Sequence, residues 1–235
     1  GPLLIIAGAG SGKTRVLTYR YAHLIKTYGI NFENVLAITF TNKAANEMKD
    51  RISDLLNLEL SPKWISTFHS LCVKMLRIHG HLIGFNNNFT IYDQSDSTKL
   101  VRNCMRDSDI DTKQYSPKRI QAHISSLKNQ RILPGEAVEF AQSFFDVKVA
   151  EIYSSYQKKL MLANSMDFDD LLIKAVELLE TSDKSLNYWS SKFQYIMIDE
   201  YQDTNMVQYR LVELLASKHK NICVVGDSDQ SIYAF

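Results

Sequence analysis

A lysine and a threonine that follow a run of small residues are the first candidates for chemistry in this chain. Residues 7–14 read AGAGSGKT, which fits the spacing of a P-loop with alanine in place of its first glycine. Small residues let backbone N–H groups approach a triphosphate closely and adopt conformations that a Cβ atom resists. Lys13 would reach the β- and γ-phosphates, and the Thr14 hydroxyl would ligate Mg²⁺. The residues predicted to bind the nucleotide are Ala7, Gly8, Ala9, Gly10, Ser11, Gly12, Lys13 and Thr14.

The alternative to a P-loop is a Gly/Ser turn followed by a Lys-Thr pair that occurs there by chance. The segments on either side of the loop argue against this alternative. Residues 3–7 predict a buried β-strand, because both faces of this run are hydrophobic. Beyond Thr14 an amphipathic helix is predicted, and the dipole at its amino terminus favours an anion. Its apolar positions are Leu17, Tyr21, Leu24 and Ile25.

Two adjacent carboxylates are the natural partners of this loop. Asp199 and Glu200 directly follow the apolar run Tyr195–Ile198. A carboxylate at the end of a strand can hold the Mg²⁺ that bridges the phosphates, and its neighbour can accept a proton from the attacking water. An Asp-Glu pair by itself also fits a surface turn. A P-loop in the same sheet favours the catalytic interpretation.

A glutamine follows the next apolar run. Gln230 lies in the loop after residues 222–225, where its amide could detect the γ-phosphate through a hydrogen bond. A solvated loop amide fits the same position equally well. From the residues alone, both interpretations stay open.

The elements that must position these groups alternate between strands and helices. Short apolar strands are predicted at residues 3–7, Val35–Thr39, 64–66, Tyr195–Ile198 and 222–225, with helices between them. Thr41 or Asn42 is a predicted N-cap of a helix that runs to about Leu56. The carboxyl ends of parallel strands form the ligand-binding edge of an open sheet. We therefore predict an α/β fold in which these distant segments meet.

The middle of the chain has a different pattern. Residues 88–187 carry helical periodicity without clear strand–loop–helix units. This pattern predicts a helical subdomain inserted between two strands of the sheet. The predicted domains are therefore residues 1–87 with 188–235, and residues 88–187.

Aromatic residues occur at loop positions near the predicted site. Exposed rings beside a basic surface serve as stacking platforms for unpaired bases, although most aromatic residues belong to a core. Among residues 1–87 there are ten Lys and Arg against five Asp and Glu, which is compatible with nucleic acid. The rings concerned are Phe40, Phe68, Tyr233 and Phe235.

Composition and cysteine usage restrict the class of protein. The chain is 45% apolar and 23% charged, which is typical of a globular protein, and it has no long uninterrupted apolar run. Its three cysteines form no CxxC pair, so we expect buried free thiols in a cytoplasmic protein. The chain starts inside a predicted strand and stops in a loop. We therefore expect a piece that is incomplete at both ends.

Several motifs occur together and in a fixed order along the chain. They read AGAGSGKT, VLAITFTNKAANEM, STFHSLCVKMLR, MDFDDLL, YIMIDEYQDTNMVQY and VVGDSDQSIYAF. Jointly they resemble the UvrD/Rep/PcrA group of superfamily 1 DNA helicases. The match covers nearly the whole chain except the middle of the helical region.

The resemblance implies a RecA-like motor domain that carries an inserted all-helical subdomain. It implies ATP-dependent 3′–5′ movement on single-stranded DNA, unwinding at single/double-strand junctions, and a second RecA-like domain in the same chain. It further implies that Lys13, Thr14 and Arg15 contact the nucleotide, Asp199 holds Mg²⁺ and Glu200 activates water. Gln230 would link the γ-phosphate to DNA-contacting loops.

The resemblance also implies a set of DNA contacts. Phe235 stands where many members of the group have tryptophan, and it keeps a stacking face. The residues at DNA-contacting positions are Phe40, Asn42, Thr67, His69, Tyr233 and Phe235.

Two alternatives stand beside this interpretation, the first within the enzymes and the second from another functional class. A helicase–nuclease subunit of the AddA or RecB sort would share these motifs, with a nuclease domain beyond residue 235. A P-loop scaffold or nucleotide switch without motor activity is disfavoured, because a switch without turnover needs neither Glu200 nor Gln230. The repair or replication pathway and the loading partners are not indicated by the sequence.

Overall fold

The computed structural model describes residues 1–8, 10–58 and 62–227 of the chain. The chain forms two units. The first unit comprises residues 1–72 together with the chain from Leu179 onward, and the second unit comprises residues 73–178. The predicted limits of the inserted subdomain, residues 88–187, stay a prediction.

The strands and helices follow the predicted alternation closely. The strands are β1 (Leu3–Ile6), β2 (Val35–Thr39), β3 (Ile65–Thr67), β4 (Thr90–Ile91), β5 (Ser165–Met166), β6 (Tyr195–Ile198) and β7 (Ile222–Gly226). The helices are α1 (Lys13–Tyr28), α2 (Asn42–Leu56), α3 (Phe68–His79), α4 (Gln94–Asp107), α5 (Pro117–Asn129), α6 (Phe144–Leu162), α7 (Phe168–Thr181), α8 (Asp183–Lys192) and α9 (Met206–Ala216). No helix among the described residues has both the length and the apolar character that crossing a bilayer requires.

The first unit contains a five-stranded parallel sheet in the order β1-β7-β6-β2-β3. Strands from the beginning and the end of the chain are therefore neighbours, and Ile6 of β1 lies opposite Gly226 of β7. Since all the strands run in the same direction, their carboxyl ends share one edge. The predicted α/β fold with a parallel sheet is confirmed.

Helices α1 and α2 cover one face of this sheet. The Thr41 hydroxyl accepts a hydrogen bond from the backbone of Ala44, so the N-cap of α2 is the first of the two predicted candidates. Leu36 and Ile38 of β2 point away from this core and are also fully buried, as expected for a parallel strand that is covered on both faces. The core on the α1 and α2 side consists of Leu17, Tyr21, Leu24, Val35, Ala37, Met48, Ile52, Ile65, Met197, Cys223 and Val225.

The prediction that β1 is a buried strand is wrong. β1 lies at the edge of the sheet and pairs with β7 alone among the described strands. Leu4 and Ile6 are consequently 60% and 63% exposed. An apolar run shows that a strand is able to be buried on both faces, but it does not show which strands or helices cover it.

The second unit is built mainly from α4, α5 and α6. Their apolar faces form one core, in which Val101, Ile120, Ile124, Ile152 and Leu160 are buried. The prediction of an all-helical subdomain has one exception, because the short strands β4 and β5 pair in parallel. Strands of two residues leave almost no periodic signal in a sequence.

A buried lysine joins two helices of the second unit. Lys128 of α5 is 1% exposed, and its Nζ lies 2.7 Å from Asp167 Oδ2 and 2.8 Å from Asp170 Oδ1. Tyr156 donates to Asp167, and Gln157 donates to Asp170. Burial by itself lowers the pKa of Lys128, but the two carboxylates more than offset it and hold the pKa above its ordinary value. This network fixes the first turn of α7.

We predict that Lys128→Met destabilises the second unit by ~3–5 kcal/mol, because two carboxylates would stay buried without their cation. Hydrogen exchange of peptides from α5 and α7 in the 235-residue chain would measure this loss. Lys148→Met is the matched control. Lys148 pairs with Glu151 at 2.9 Å on the surface, so its loss is expected to cost less than about 1 kcal/mol. Equal effects of the two variants would contradict the prediction.

Candidate nucleotide-binding site

The P-loop starts where β1 ends. Ala7 N donates to Gly226 O at 3.0 Å, which extends the pairing of β1 with β7 by one residue. Gly8 O accepts hydrogen bonds from the backbone and the side chain of Ser11. Gly10 and Gly12 have φ angles of 73° and 89°, in the left-handed region that favours glycine. Ala9 lies outside the described residues.

Gly12 is also the N-cap of α1 and has no side chain with which to cap it. The first N–H groups of a helix have no partner within the helix, so they are available to an anion. The loop and the helix start therefore have the geometry that phosphate binding requires.

Lys13 is the cation at the centre of the site. It is 8% exposed, and its Nζ lies 3.1 Å from Glu200 Oε2 and 3.7 Å from Asp227 Oδ2. Burial lowers the pKa of Lys13, but the hydrogen bond and charge of Glu200, together with Asp227 and Asp199, raise it above its ordinary value. The ammonium group is therefore charged, and acidic oxygens neutralise it.

Thr14 and Asp199 form a second pair beside Lys13. The Thr14 hydroxyl donates to Asp199 Oδ2 at 2.9 Å, and Asp199 is 3% exposed. Burial and the charge of Glu200 raise the pKa of Asp199, while the hydrogen bond from Thr14 opposes them. A hydroxyl and a carboxylate oxygen in contact are the hard ligands that Mg²⁺ prefers. These two residues fit the predicted metal site.

Glu200 directly follows Asp199 and is the more accessible carboxylate. Its side chain is 39% exposed, so water reaches it. Its backbone has φ 51°, which is uncommon for a residue with a side chain, and a 3₁₀ turn at Tyr201–Asp203 follows. Oε2 of Glu200 accepts hydrogen bonds from both Lys13 and Gln202.

The prediction from the sequence missed two residues of this cluster. Gln202 contacts Glu200, and Asp227 lies near Lys13. Both residues lie in motifs that carry the family resemblance. Gln202 is at the second position after Glu200, and Asp227 directly follows β7. Their positions in these motifs were the only indication in the sequence that they belong to the site. Which of their atoms make contact depends on the register of the strands, and a single sequence does not give that register.

Arg15 lies on the first turn of α1. Its guanidinium group lies 5.4 Å from the centre of the Tyr19 ring. Both side chains line an open groove of about 700 Å³, together with Gly10, Gly12 and Val16. Arg15 is therefore next to the P-loop, where the resemblance implies a nucleotide contact.

The predicted DNA-contacting residues that the structure describes lie at the carboxyl ends of β2 and β3. Phe40 follows β2 and is half-buried, and Asn42 is the exposed first residue of α2. Thr67 ends β3, is buried and donates to Ser70 Oγ, and His69 lies in the first turn of α3. Their contact with DNA stays a prediction.

Phe68 does not fit the interpretation of the loop aromatics as exposed rings. It is 2% exposed and lies 5.6 Å from the Phe40 ring, in an edge-to-face contact. Phe68 therefore belongs to the core, and the Phe40 ring packs against it. Gln230, Tyr233 and Phe235 lie outside the described residues.

The parallel sheet, the P-loop and the carboxylates at the sheet's carboxyl edge together define a P-loop nucleotide-binding domain of the RecA-like class. The chain belongs to the UvrD/REP helicase family, because the model for the UvrD/REP helicase N-terminal domain matches residues 1–235.

Relatives in staphylococci are similar over the whole chain. The chain is 50% identical over 235 residues to the ATP-dependent DNA helicase PcrA of Staphylococcus aureus. It is 49% identical over the same length to the ATP-dependent DNA helicase PcrA of Staphylococcus epidermidis. It spans 32%, about a third, of the length of each of these relatives.

Proposed function

We propose that this chain is the ATP-binding part of an ATP-dependent 3′–5′ DNA helicase that moves on single-stranded DNA and unwinds duplex. The observation that carries the proposal is the convergence of Lys13, Thr14, Asp199 and Glu200 at one sheet edge, in a chain of the UvrD/REP helicase family. The sheet brings these residues together across more than 180 positions of sequence.

Binding of the triphosphate is assigned to the P-loop and Lys13. The N–H groups at the start of α1 would hold the phosphate oxygens, and Lys13 would exchange its carboxylate partners for them. Because Lys13 is already charged and largely buried, no change of protonation state is needed. Arg15 would lie beside the nucleotide.

A metal would be held by the paired oxygens of Thr14 and Asp199. Bound Mg²⁺ neutralises charge on the transferring phosphoryl group. Thr14 would turn its hydroxyl hydrogen away from Asp199 when its oxygen becomes a ligand. Asp199 would be ionised in that state.

Hydrolysis is assigned to Glu200 as the general base. Its carboxylate would accept a proton from the water that attacks the γ-phosphate, and its exposure leaves room for that water. Gln230 would form a hydrogen bond with the γ-phosphate and so link the state of the nucleotide to the DNA-contacting residues.

Single-stranded DNA is the proposed track. Phe40, Asn42, Thr67 and His69 would contact it from the ends of β2 and β3, together with Tyr233 and Phe235 from the sequence that follows β7. A second RecA-like domain of the full-length protein would complete the ATPase site, and residues 88–187 would form an inserted subdomain. We place this protein in the cytoplasm, where its three buried thiols would stay reduced.

We predict that two single substitutions in the full-length protein impair different steps, one ATP binding and the other ATP hydrolysis. Lys13→Ala would weaken ATP binding roughly 10- to 100-fold, because a charge-assisted hydrogen bond to phosphate is worth about 1.5–3 kcal/mol. Glu200→Gln would keep binding and lose about 10²–10⁴-fold in kcat. Titration with a fluorescent ATP analogue and a steady-state ATPase assay would separate the two defects. Lys26→Ala, an exposed lysine on the same helix, is the control. Wild-type turnover of Glu200→Gln would refute the assignment of the base.

We predict that Phe40→Ala weakens binding of oligo-dT by about 5- to 150-fold, since stacking of a base on an aromatic ring is worth ~1–3 kcal/mol. Fluorescence anisotropy with the full-length protein measures this affinity. Tyr28→Ala removes a 65% exposed ring at the far end of α1 and is expected to have no effect. A variant with a lowered melting temperature and unchanged affinity would mean that Phe40 serves only as support for Phe68.

We predict that the 235-residue chain alone binds ATP and Mg²⁺ weakly, hydrolyses ATP very slowly and does not respond to DNA. An arginine finger is worth on the order of 10³–10⁵ in turnover, and we propose that the second motor domain supplies it. An ATPase assay with and without oligo-dT tests this prediction. Robust DNA-stimulated turnover that Lys13→Ala abolishes would show that these 235 residues hold the complete site.

A further inference from the structure

Gln202 lies between the proposed base and the backbone that follows β7. Its Nε2 donates to Glu200 Oε2 at 2.8 Å, and its Oε1 accepts from the backbone N–H of Asp227 at 3.0 Å. One amide group therefore spans two segments that are 25 residues apart in the sequence.

The chemistry of the two partners fixes the orientation of this amide. An ionised carboxylate only accepts hydrogen bonds, and a backbone N–H only donates them. Turning the amide over would place donor against donor and acceptor against acceptor. Both hydrogen bonds therefore require a side chain that has a donor and an acceptor at the length of glutamine.

A glycine provides the space for this contact. A Cβ atom at Gly226 would lie 3.0 Å from Gln202 Oε1 and 3.6 Å from Gln202 N. At 3.0 Å the Gln202 amide would have to give way by a few tenths of an ångström. The missing side chain at residue 226 therefore lets Gln202 approach the end of β7.

Lys13 and Gln202 bind the same carboxylate oxygen, but they differ in what happens when a phosphate arrives. Lys13 would leave Glu200 for the phosphate, whereas Gln202 has no phosphate partner in the proposed site and would stay. The left-handed backbone of Glu200 and the 3₁₀ turn after it return Gln202 to the carboxylate of Glu200. In the loaded site, Gln202 would be the group that keeps Glu200 oriented.

We propose that Gln202 is a positioning residue for ATP hydrolysis, which holds the carboxylate of Glu200 in register with the backbone of Asp227. This inference rests on the proposed function, in which Glu200 is the base. It assigns Gln202 an effect on kcat, and no part in binding ATP.

The test is a steady-state ATPase assay of the full-length protein with saturating oligo-dT. Gln202→Ala is expected to lower kcat about 10- to 100-fold, because a misoriented catalytic group costs that much, and to leave KM for ATP within about threefold. Gln202→Glu keeps the acceptor for Asp227 but sets a carboxylate against Glu200, so its loss should be at least as large. Gly226→Ala, which pushes the amide aside, should also lower kcat.

Gln208→Ala is the matched control. Gln208 is a buried glutamine of the same segment, and its Oε1 caps α9 by accepting from Asn205 N at 3.1 Å. Removal of this cap is expected to lower the melting temperature and to leave kcat unchanged.

A double substitution separates positioning from general support of the fold. Since Gln202 acts through the carboxylate of Glu200, Gln202→Ala should cause no further loss of single-turnover hydrolysis in a Glu200→Gln background. An equal loss in both backgrounds, or an unchanged kcat for Gln202→Ala when Glu200→Gln is inactive, would overturn the inference alone. Wild-type kcat for Glu200→Gln would overturn the proposed base and this inference with it.

Discussion

Parallel pairing of β1, β7 and β6 is the constraint on which the site depends. Each strand carries one part of the site at its carboxyl end, so the register of the pairing sets the distances between the parts. Ile6 lies opposite Gly226, and Ile198 lies opposite Val224. A shift of one residue would turn every side chain of a strand to the other face and separate Thr14 from Asp199. The hydrogen bond from Ala7 to Gly226 holds the register up to the first residue of the P-loop.

The electrostatics of the site follow from this packing. One largely buried ammonium group lies among three carboxylates, those of Asp199, Glu200 and Asp227. A buried charge without partners is expensive, so a folded protein without nucleotide needs these carboxylates as a substitute for phosphate. In the proposed function, binding of a triphosphate would replace one set of anionic oxygens around Lys13 with another.

Much of the fold could be predicted from the sequence, because its signals are local. Apolar runs predicted the strands, and Thr41 predicted the start of a helix. The AGAGSGKT spacing predicted the P-loop with Lys13 and Thr14. The failures concern contacts between distant residues. The exposure of β1, the burial of Phe68 and the β4–β5 pairing each depend on which other segment lies nearby in the fold. Gln202 was missed for the same reason, since its partner Asp227 is defined by strand order.

The strand order also has a consequence for synthesis on the ribosome. β6 and β7 lie between β1 and β2 in the sheet but are translated after the whole second unit. At about 5–20 residues per second, the P-loop strand waits on the order of ten seconds for its neighbour β7. The second unit is continuous in sequence and is free to fold within that interval. Until then β1 is a short apolar segment with unpaired backbone groups, the kind of segment that chaperones protect during translation.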